Sequence, residues 1–233
     1  MRIVTGTSGY SYKEWKGSFY PDDLPAAKML AYYAERFDTV EINNTFYRMP
    51  DPKTVERWGA EVPERFTFIL KAPQRITHQK KLGDVADDLH YFFDTAAVLG
   101  PKLGPVLFQM PPFARKDADK LRDFIRRLPP QRRAAFEFRH PSWFDDEIFA
   151  ILRDHDAALC AADTDEVEDP ETVLTPTASW GYVRLRRSEY AGDAIAAWAD
   201  RVKRQPWSEA FVFFKHEDEG KGPQFAGAFR AAC

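Results

Sequence analysis

Three pairs of polar residues, each pair split by one apolar neighbour, carry most of the chemistry available to this chain. They are Glu41 and Asn43, Glu137 and Arg139, and Arg184 and Arg186. The pairs close or follow the short runs Thr39–Ile42, Ala135–Phe138 and Tyr182–Arg186. A strand turns successive side chains to opposite faces, so residues two apart share a face. In Phe136-Glu137-Phe138-Arg139 the phenylalanines then take one face, and Glu137 and Arg139 the other. Lys71, Gln109 and Asp163 end further runs and are expected in the same polar layer. Arg139, Arg184 and Arg186 suit bidentate bonds to a phosphate or carboxylate. Lys71 adds a point charge or an electrophile. Glu41 or Glu137 suits a general base whose pKa is set by burial and cationic neighbours. The catalytic candidates are therefore Glu41, Glu137 and Lys71. The bland alternative is an ion-pair network that closes one end of the fold.

The other binding candidates follow from residue type. Tyr10–Tyr20 holds Tyr10, Tyr12, Trp15, Phe19 and Tyr20. Such an aromatic loop either stacks a ring or nucleobase or plugs the fold. Tyr10 and Trp15 are its binding candidates, and Tyr47 and Trp143 follow other strands toward the same opening. Asn43, Gln109, His140 and Asp163 complete the set. For a metal, Glu41, Glu137, Asp163, His140 and His216 would have to converge. With five histidines, no H-E-x-x-H and no paired cysteines, they suffice for at most a single oxygen-ligated divalent metal. No other cofactor is expected.

These residues need elements to hold them. Strands are expected at Ile3–Thr7, Thr39–Ile42, Thr67–Lys71, Val106–Gln109, Ala135–Phe138, Ala158–Ala162, Tyr182–Arg186 and Phe211–Lys215. Apolar faces at helical spacing lie between them. They are Val55/Trp58/Val62, Leu89/Phe92/Phe93/Ala96/Leu99, Leu121/Phe124/Ile125/Leu128, Phe144/Ile148/Ile151/Leu152 and Ile195/Trp198/Val202. Pro141 and Ser142 stand where a stop and a helix cap are expected. Asp163–Thr177 has no apolar period and reads as an acidic loop with little or no helix. Alternating strands and helices argue for parallel β/α units. The expectation is an α/β fold, one domain over 1–233, a TIM-type (β/α)8-like barrel lacking a regular helix after the sixth strand. An open, doubly wound sheet is the competing architecture; against it, Gly6 and Gly9 have the wrong spacing for a G-x-G-x-x-G turn.

Composition narrows the classes. A barrel of this type takes ~250 residues, and this chain has 233. Net charge is −3, so no global basic field points to nucleic acid. Charge is nevertheless uneven: Arg115–Arg133 has eight basic and three acidic residues, and Asp145–Glu171 has eleven acidic residues and one basic. The first stretch suits nucleic acid or the solvated face of a helix. Two cysteines, Cys160 and Cys233, make no disulfide framework. The opening Met1–Tyr10 lacks a signal-peptide run, and a cytoplasmic location is expected.

Several motifs resemble one family. Gly6-Thr7-Ser8-Gly9-Tyr10, with Trp15 and Phe19-Tyr20-Pro21, is similar to the opening of the YecE-like family (domain of unknown function seventy-two). Phe37 with Val40–Tyr47, then Phe68 with Lys71-Ala72-Pro73 and Ile76-Thr77-His78, resemble its second and third strands. Leu107–Pro112, Phe136–His140 and Ser142-Trp143 resemble the fourth and fifth. The resemblance spans nearly the whole chain and implies a TIM-type barrel, but supplies no activity. Two departures stand out. Arg184-Leu185-Arg186 replaces the Arg-Leu-His of many relatives, and Phe214-Lys215-His216 replaces their paired asparagines. Both add positive charge.

The sequence thus favours an enzyme acting on a small anionic substrate, with or without phosphate, by acid–base chemistry at the carboxyl ends of the strands. Hydrolase, isomerase and lyase all fit. A nucleic-acid-binding or nuclease barrel and a non-catalytic ligand-binding barrel are the alternatives; no membrane partner is expected.

Overall fold

The computed structural model describes all residues from Met1 to Cys233. Eight strands close into one parallel barrel, each paired with its neighbours in sequence and β1 with β8. They are β1 (Arg2–Ser8), β2 (Thr39–Ile42), β3 (Thr67–Lys71), β4 (Leu103–Gln109), β5 (Ala134–Glu137), β6 (Ala158–Asp163), β7 (Trp180–Leu185) and β8 (Glu209–Phe214). The helices are α1 (Met29–Ala34), α2 (Asn44–Tyr47), α3 (Pro52–Ala60), α4 (Ala86–Ala96), α5 (Ala118–Arg126), α6 (Asp146–Asp154), α7 (Ala194–Lys203) and α8 (Lys221–Ala232). Between β6 and β7 there is only a short 3-10 turn, Pro170–Val173, as the acidic composition implied. No helix is long and apolar enough to cross a membrane.

Period two sorts the side chains into two cores. Inside the barrel, Val4, Ile69, Leu107, Cys160, Tyr182 and Phe213 belong to one small apolar cluster. Outside, residues of opposite parity such as Val40, Phe68, Phe108, Phe136, Val183 and Val212 pack against the helices in a far larger cluster. The amphipathic faces of α4, α5, α6 and α7 supply the other side of that layer, through residues such as Phe92, Phe124, Ile148 and Trp198. Moving up β3, β4, β5 and β7, the inward residues change from apolar to Lys71, Gln109, Glu137 and Arg184; on β2, Glu41 follows Thr39 on the same face. Strand pairing puts Gln109 beside Glu137.

Three local expectations are corrected. The turn Pro141–Trp143 is a separate 3-10 segment, and α6 is capped three residues past Ser142 by Asp145, whose carboxylate accepts from the Glu147 amide at 3.0 Å. The chain turns early because Trp143 stacks flat on Phe138, 4.3 Å between centroids, and donates to the Ala114 carbonyl. Phe144 therefore lies outside the helix and half-exposed. Val62 likewise falls beyond the end of α3, though it is buried. Helices α1, α2 and α8 have no counterpart among the sequence expectations. α1 and α2 are only six and four residues long, and α8 carries Gly222, Pro223 and Gly227, which weaken any helical signal.

The revised cap has a consequence. Asp145→Ala should lower stability by about 1 kcal/mol through loss of the cap. A urea unfolding midpoint unchanged from the parent chain would show that α6 does not depend on Asp145.

Candidate functional site at the barrel mouth

Arg184 occupies the centre of the barrel's upper layer, fully buried between two carboxylates. One of its terminal nitrogens donates to Glu41 Oε1 at 2.8 Å, the other to Glu137 Oε2 at 2.5 Å. Tyr182, one turn of the pleat below, donates its hydroxyl to the second oxygen of Glu41 at 2.6 Å. Gln109 Nε2 donates to Glu137 Oε1 at 2.8 Å, and Arg186 reaches the same oxygen at 3.3 Å. A carboxylate only accepts, so the Gln109 amide has one orientation, with its carbonyl turned toward Lys71. Lys71 Nζ donates to that carbonyl at 2.8 Å.

Burial alone would raise the Glu137 carboxyl. Arg184 and Arg186 beside it, with hydrogen bonds from Arg184 and Gln109, hold it down to about 2. Lys71 goes the other way. Burial first, then repulsion from Arg184, outweighs the attraction of Glu41 and Glu137 and lowers its ammonium to about 8. Its amine lies over the face of Phe46 at 4.1 Å. Phe46 is held there because Thr45, in the same short helix, donates its hydroxyl to the Lys71 carbonyl at 2.7 Å.

Above this layer opens a cleft of about 850 Å³. Five cations reach it: Lys71, Arg139, Arg184, Arg186 and Lys215. Its rim also carries Asp165, Glu166 and Glu217. Asp165 is engaged with Ser188, and Glu166 with Thr164. Asn43 lines the cleft with a buried Nδ2 that has no hydrogen-bond partner. A polar atom buried without a partner usually has some compensating role or ligand.

Of the residues expected together, Asn43, Tyr47, Lys71, Gln109, Arg139, Arg184 and Arg186 line the cleft. Glu41 and Glu137 sit directly below it, bound to Arg184; Glu137 also borders a smaller hollow of about 380 Å³.

Five expectations of placement are corrected. Asp163 faces outward, opposite in parity to Cys160, and accepts from Trp198, Tyr190 and Arg187 in the helical layer. Trp15 is completely buried against Tyr12, Phe19 and Tyr20. Tyr10 packs on Tyr33, and burial pushes its phenol up to about 12. His140 turns its Nδ1 to the Ser142 amide. Trp143 stacks on Phe138 away from the mouth. The aromatic loop is thus mainly a plug, and Tyr12 is the member that reaches the cleft.

Phe46, His78 and Lys215 line the cleft but were not assigned to it from sequence. Lys215 was legible: it continues the inward parity of Phe211 and Phe213. The proposed metal ligands do not converge. Arg184 separates Glu41 from Glu137, Asp163 points outward, and no group of three His, Cys, Asp or Glu side chains is placed to hold an ion. No metal-dependent step is assigned.

A family profile described as "Protein of unknown function DUF72" matches residues 4–233. The chain belongs to the DUF72 family. It is 34% identical over 116 residues to the UPF0759 protein YecE of Escherichia coli (strain K12), covering 49% of this chain and 43% of that protein. Over 157 residues it is 34% identical to the UPF0759 protein YunF of Bacillus subtilis (strain 168), covering 63% and 54%. The matches thus span about half the length of these curated relatives. A solved DUF72 protein from Thermotoga maritima superimposes with a TM-score of 0.87 at 25% identity, covering 99% of this chain and 98% of that one. A DUF72 protein from Enterococcus faecalis gives 0.75 at 20%, covering 99% and 96%, and shares the fold.

The Arg184 layer in this DUF72 barrel should be fragile to single changes. Arg184→Met strands two buried carboxylates and should cost about 3–5 kcal/mol. Adding Glu41→Leu and Glu137→Leu should recover part of that loss, since no buried carboxylate then lacks a counterion, while the Tyr182 hydroxyl and the Gln109 amide lose their acceptors. Urea unfolding of the single and triple variants decides the matter; equal loss in both would mean packing, not charge, sets the cost. The same layer predicts acid sensitivity. Glu137 is held below its unfolded value, so its contribution is present above the ordinary carboxylate pKa and is lost as pH falls toward about 2. Glu137→Gln should flatten stability against pH in that window.

Proposed function

We propose that the mouth of this barrel binds a small anionic substrate and that the protein is an enzyme acting on it. One observation carries the reading. Lys71, Arg139 and Lys215 turn into one cleft without a carboxylate partner, whereas basic residues elsewhere are mostly paired. Lys116 pairs with Asp145, Lys120 with Asp117, Arg122 with Asp119 and Arg133 with Glu209. Convergent cations facing water in a concave site are suited to a phosphate or carboxylate. Barrel enzymes, moreover, work at this face.

Within that reading the reactive role passes from the carboxylates to Lys71. Both oxygens of Glu41 and both of Glu137 already accept hydrogen bonds, and Glu137 is too weak a base at neutral pH. Lys71 is a nucleophilic amine in the cleft whose pKa is brought down to about 8. The nucleic-acid alternative draws little from Arg115–Arg133, because Lys116, Lys120, Arg122, Arg126 and Arg133 are ion-paired.

Calorimetric titration with inorganic phosphate, pyruvate, a neutral sugar and a short single-stranded oligonucleotide tests the reading. The two small anions should bind with salt-sensitive affinity. Arg139→Ala should weaken them by about 1.5–3 kcal/mol, while Arg126→Ala and Arg127→Ala leave them unchanged. Affinity should fall as pH rises through about 8, because Lys71 loses its positive charge there. Tightest binding by the oligonucleotide, weakened most by the Arg126 and Arg127 changes, would replace this reading with nucleic-acid binding.

A further inference from the structure

Lys71 is a largely buried amine with no counterion of its own. Its single acceptor is Gln109 Oε1, and the face of Phe46 covers one side. The two carboxylates of the layer are held by Arg184. Charged groups facing the amine come from several elements. Arg184 on β7 and Lys215 after β8 repel its proton, while Glu41 on β2 and Glu137 on β5 attract it. His78, in the turn after β3, and Arg139, past β5, share the cleft. His78 is itself lowered, by burial first and then by Lys71 and Arg139. The fixed orientation of Gln109 matters here. A neutral amine satisfies Oε1 with one N–H and still has its lone pair for an electrophile.

The geometry points to Lys71 as a Schiff-base lysine that condenses with the carbonyl carbon of a small anionic aldehyde or ketone, such as a 2-oxo acid or a phosphorylated sugar. This inference rests on the anion-binding reading above; with Lys71 engaged at the carbonyl carbon, Arg139 and Lys215 hold the acid group. The neutral Nζ adds to the carbonyl carbon, and the C–O π pair moves to oxygen. A proton passes from nitrogen to that oxygen through water in the open cleft, giving a carbinolamine. The nitrogen lone pair then expels the hydroxyl, which leaves as water with one proton taken from solvent. The product is a protonated imine. Buried lysines with lowered pKa suit this chemistry because a fraction is neutral near pH 7. Lys215, one of the two cations that help lower Lys71, is also placed to hold the substrate's acid group.

The test is reductive trapping on the full chain. The protein is incubated with pyruvate or glyceraldehyde 3-phosphate and sodium cyanoborohydride across about pH 6 to 9.5, and adducts are mapped by peptide mass spectrometry. The expected result is one main adduct, on Lys71, forming at about pH 7.5 on the order of tenfold faster than on any exposed lysine. Its yield should rise with a midpoint near the lowered value of about 8. Lys71→Arg should abolish that adduct while circular dichroism shows the barrel retained. Adducts spread over exposed lysines, with Lys71 no faster, would overturn the Schiff-base role. If calorimetry still shows phosphate or pyruvate binding in that case, the anion-binding reading stands alone. If neither anion binds, that reading fails and takes the Schiff-base role with it.

Discussion

A single guanidinium buried between two carboxylates organises the upper half of this barrel. Arg184 is inaccessible to solvent, as are Glu41 and Glu137. Taking three charges out of water is costly, and only close, well-oriented contacts offset it. That demand fixes strand geometry. β2, β5 and β7 must present these side chains at the same height, so the closed barrel and the charge layer depend on one another. Tyr182 and Gln109 fill the remaining acceptor positions and extend the layer toward β4. An apolar layer would be easier to stabilise. A charged one is retained here at the face where barrel sites are built.

The layer also decides what the cleft above it can be. Because Arg184 holds both carboxylates, neither forms an ion pair with Lys71 or Arg139. Glu41 and Glu137 are thus engaged within the floor, and the cleft above is lined by five cations and three rim carboxylates. Gln109 transmits the arrangement without carrying charge: Glu137 orients its amide, and the amide presents an acceptor to Lys71. Glu41 and Glu137 shape the reactivity of Lys71 from below while remaining out of reach of any ligand that sits above Arg184. Of the rim carboxylates, Asp165 accepts from Ser188 and Glu166 from Thr164.

Where alternation is strong, the sequence reading and the structure agree. In Phe136-Glu137-Phe138-Arg139 large apolar and charged residues alternate, and parity places each one. The same holds for Val40-Glu41-Ile42-Asn43 and Val183-Arg184-Leu185-Arg186. The β6 run Ala158-Leu159-Cys160-Ala161-Ala162-Asp163 has small apolar residues on both faces, so nothing in it marks parity. Asp163 was therefore assigned inward, when it ties β6 to Trp198 and Tyr190 outside. The aromatic loop failed for a different reason. Tyr10, Tyr12, Trp15, Phe19 and Tyr20 are alike in type, and only tertiary packing separates Tyr12 at the cleft from Trp15 in the core. Burial of Arg184 was equally invisible, because a strand arginine at a barrel end is as readily solvated as enclosed.

The two departures from the family pattern acquire a physical meaning from their positions. Arg186 and Lys215 stand above the closed layer, at the level where water still reaches the side chains. Lys215 has no buried partner, so changing it costs little folding energy, whereas Arg186 donates to the buried Glu137 at 3.3 Å and Arg184 below holds two buried carboxylates. Charge at the rim is therefore the adjustable part of the barrel and charge at the floor the constrained part. Lys215 adds to the cationic field around Lys71 without touching the hydrogen bonds that orient it, while Arg186 shares with Gln109 the Glu137 oxygen at the end of that chain. A rim of histidine and asparagine would leave the same floor with a weaker field, and so with a different preference for the charge of what enters.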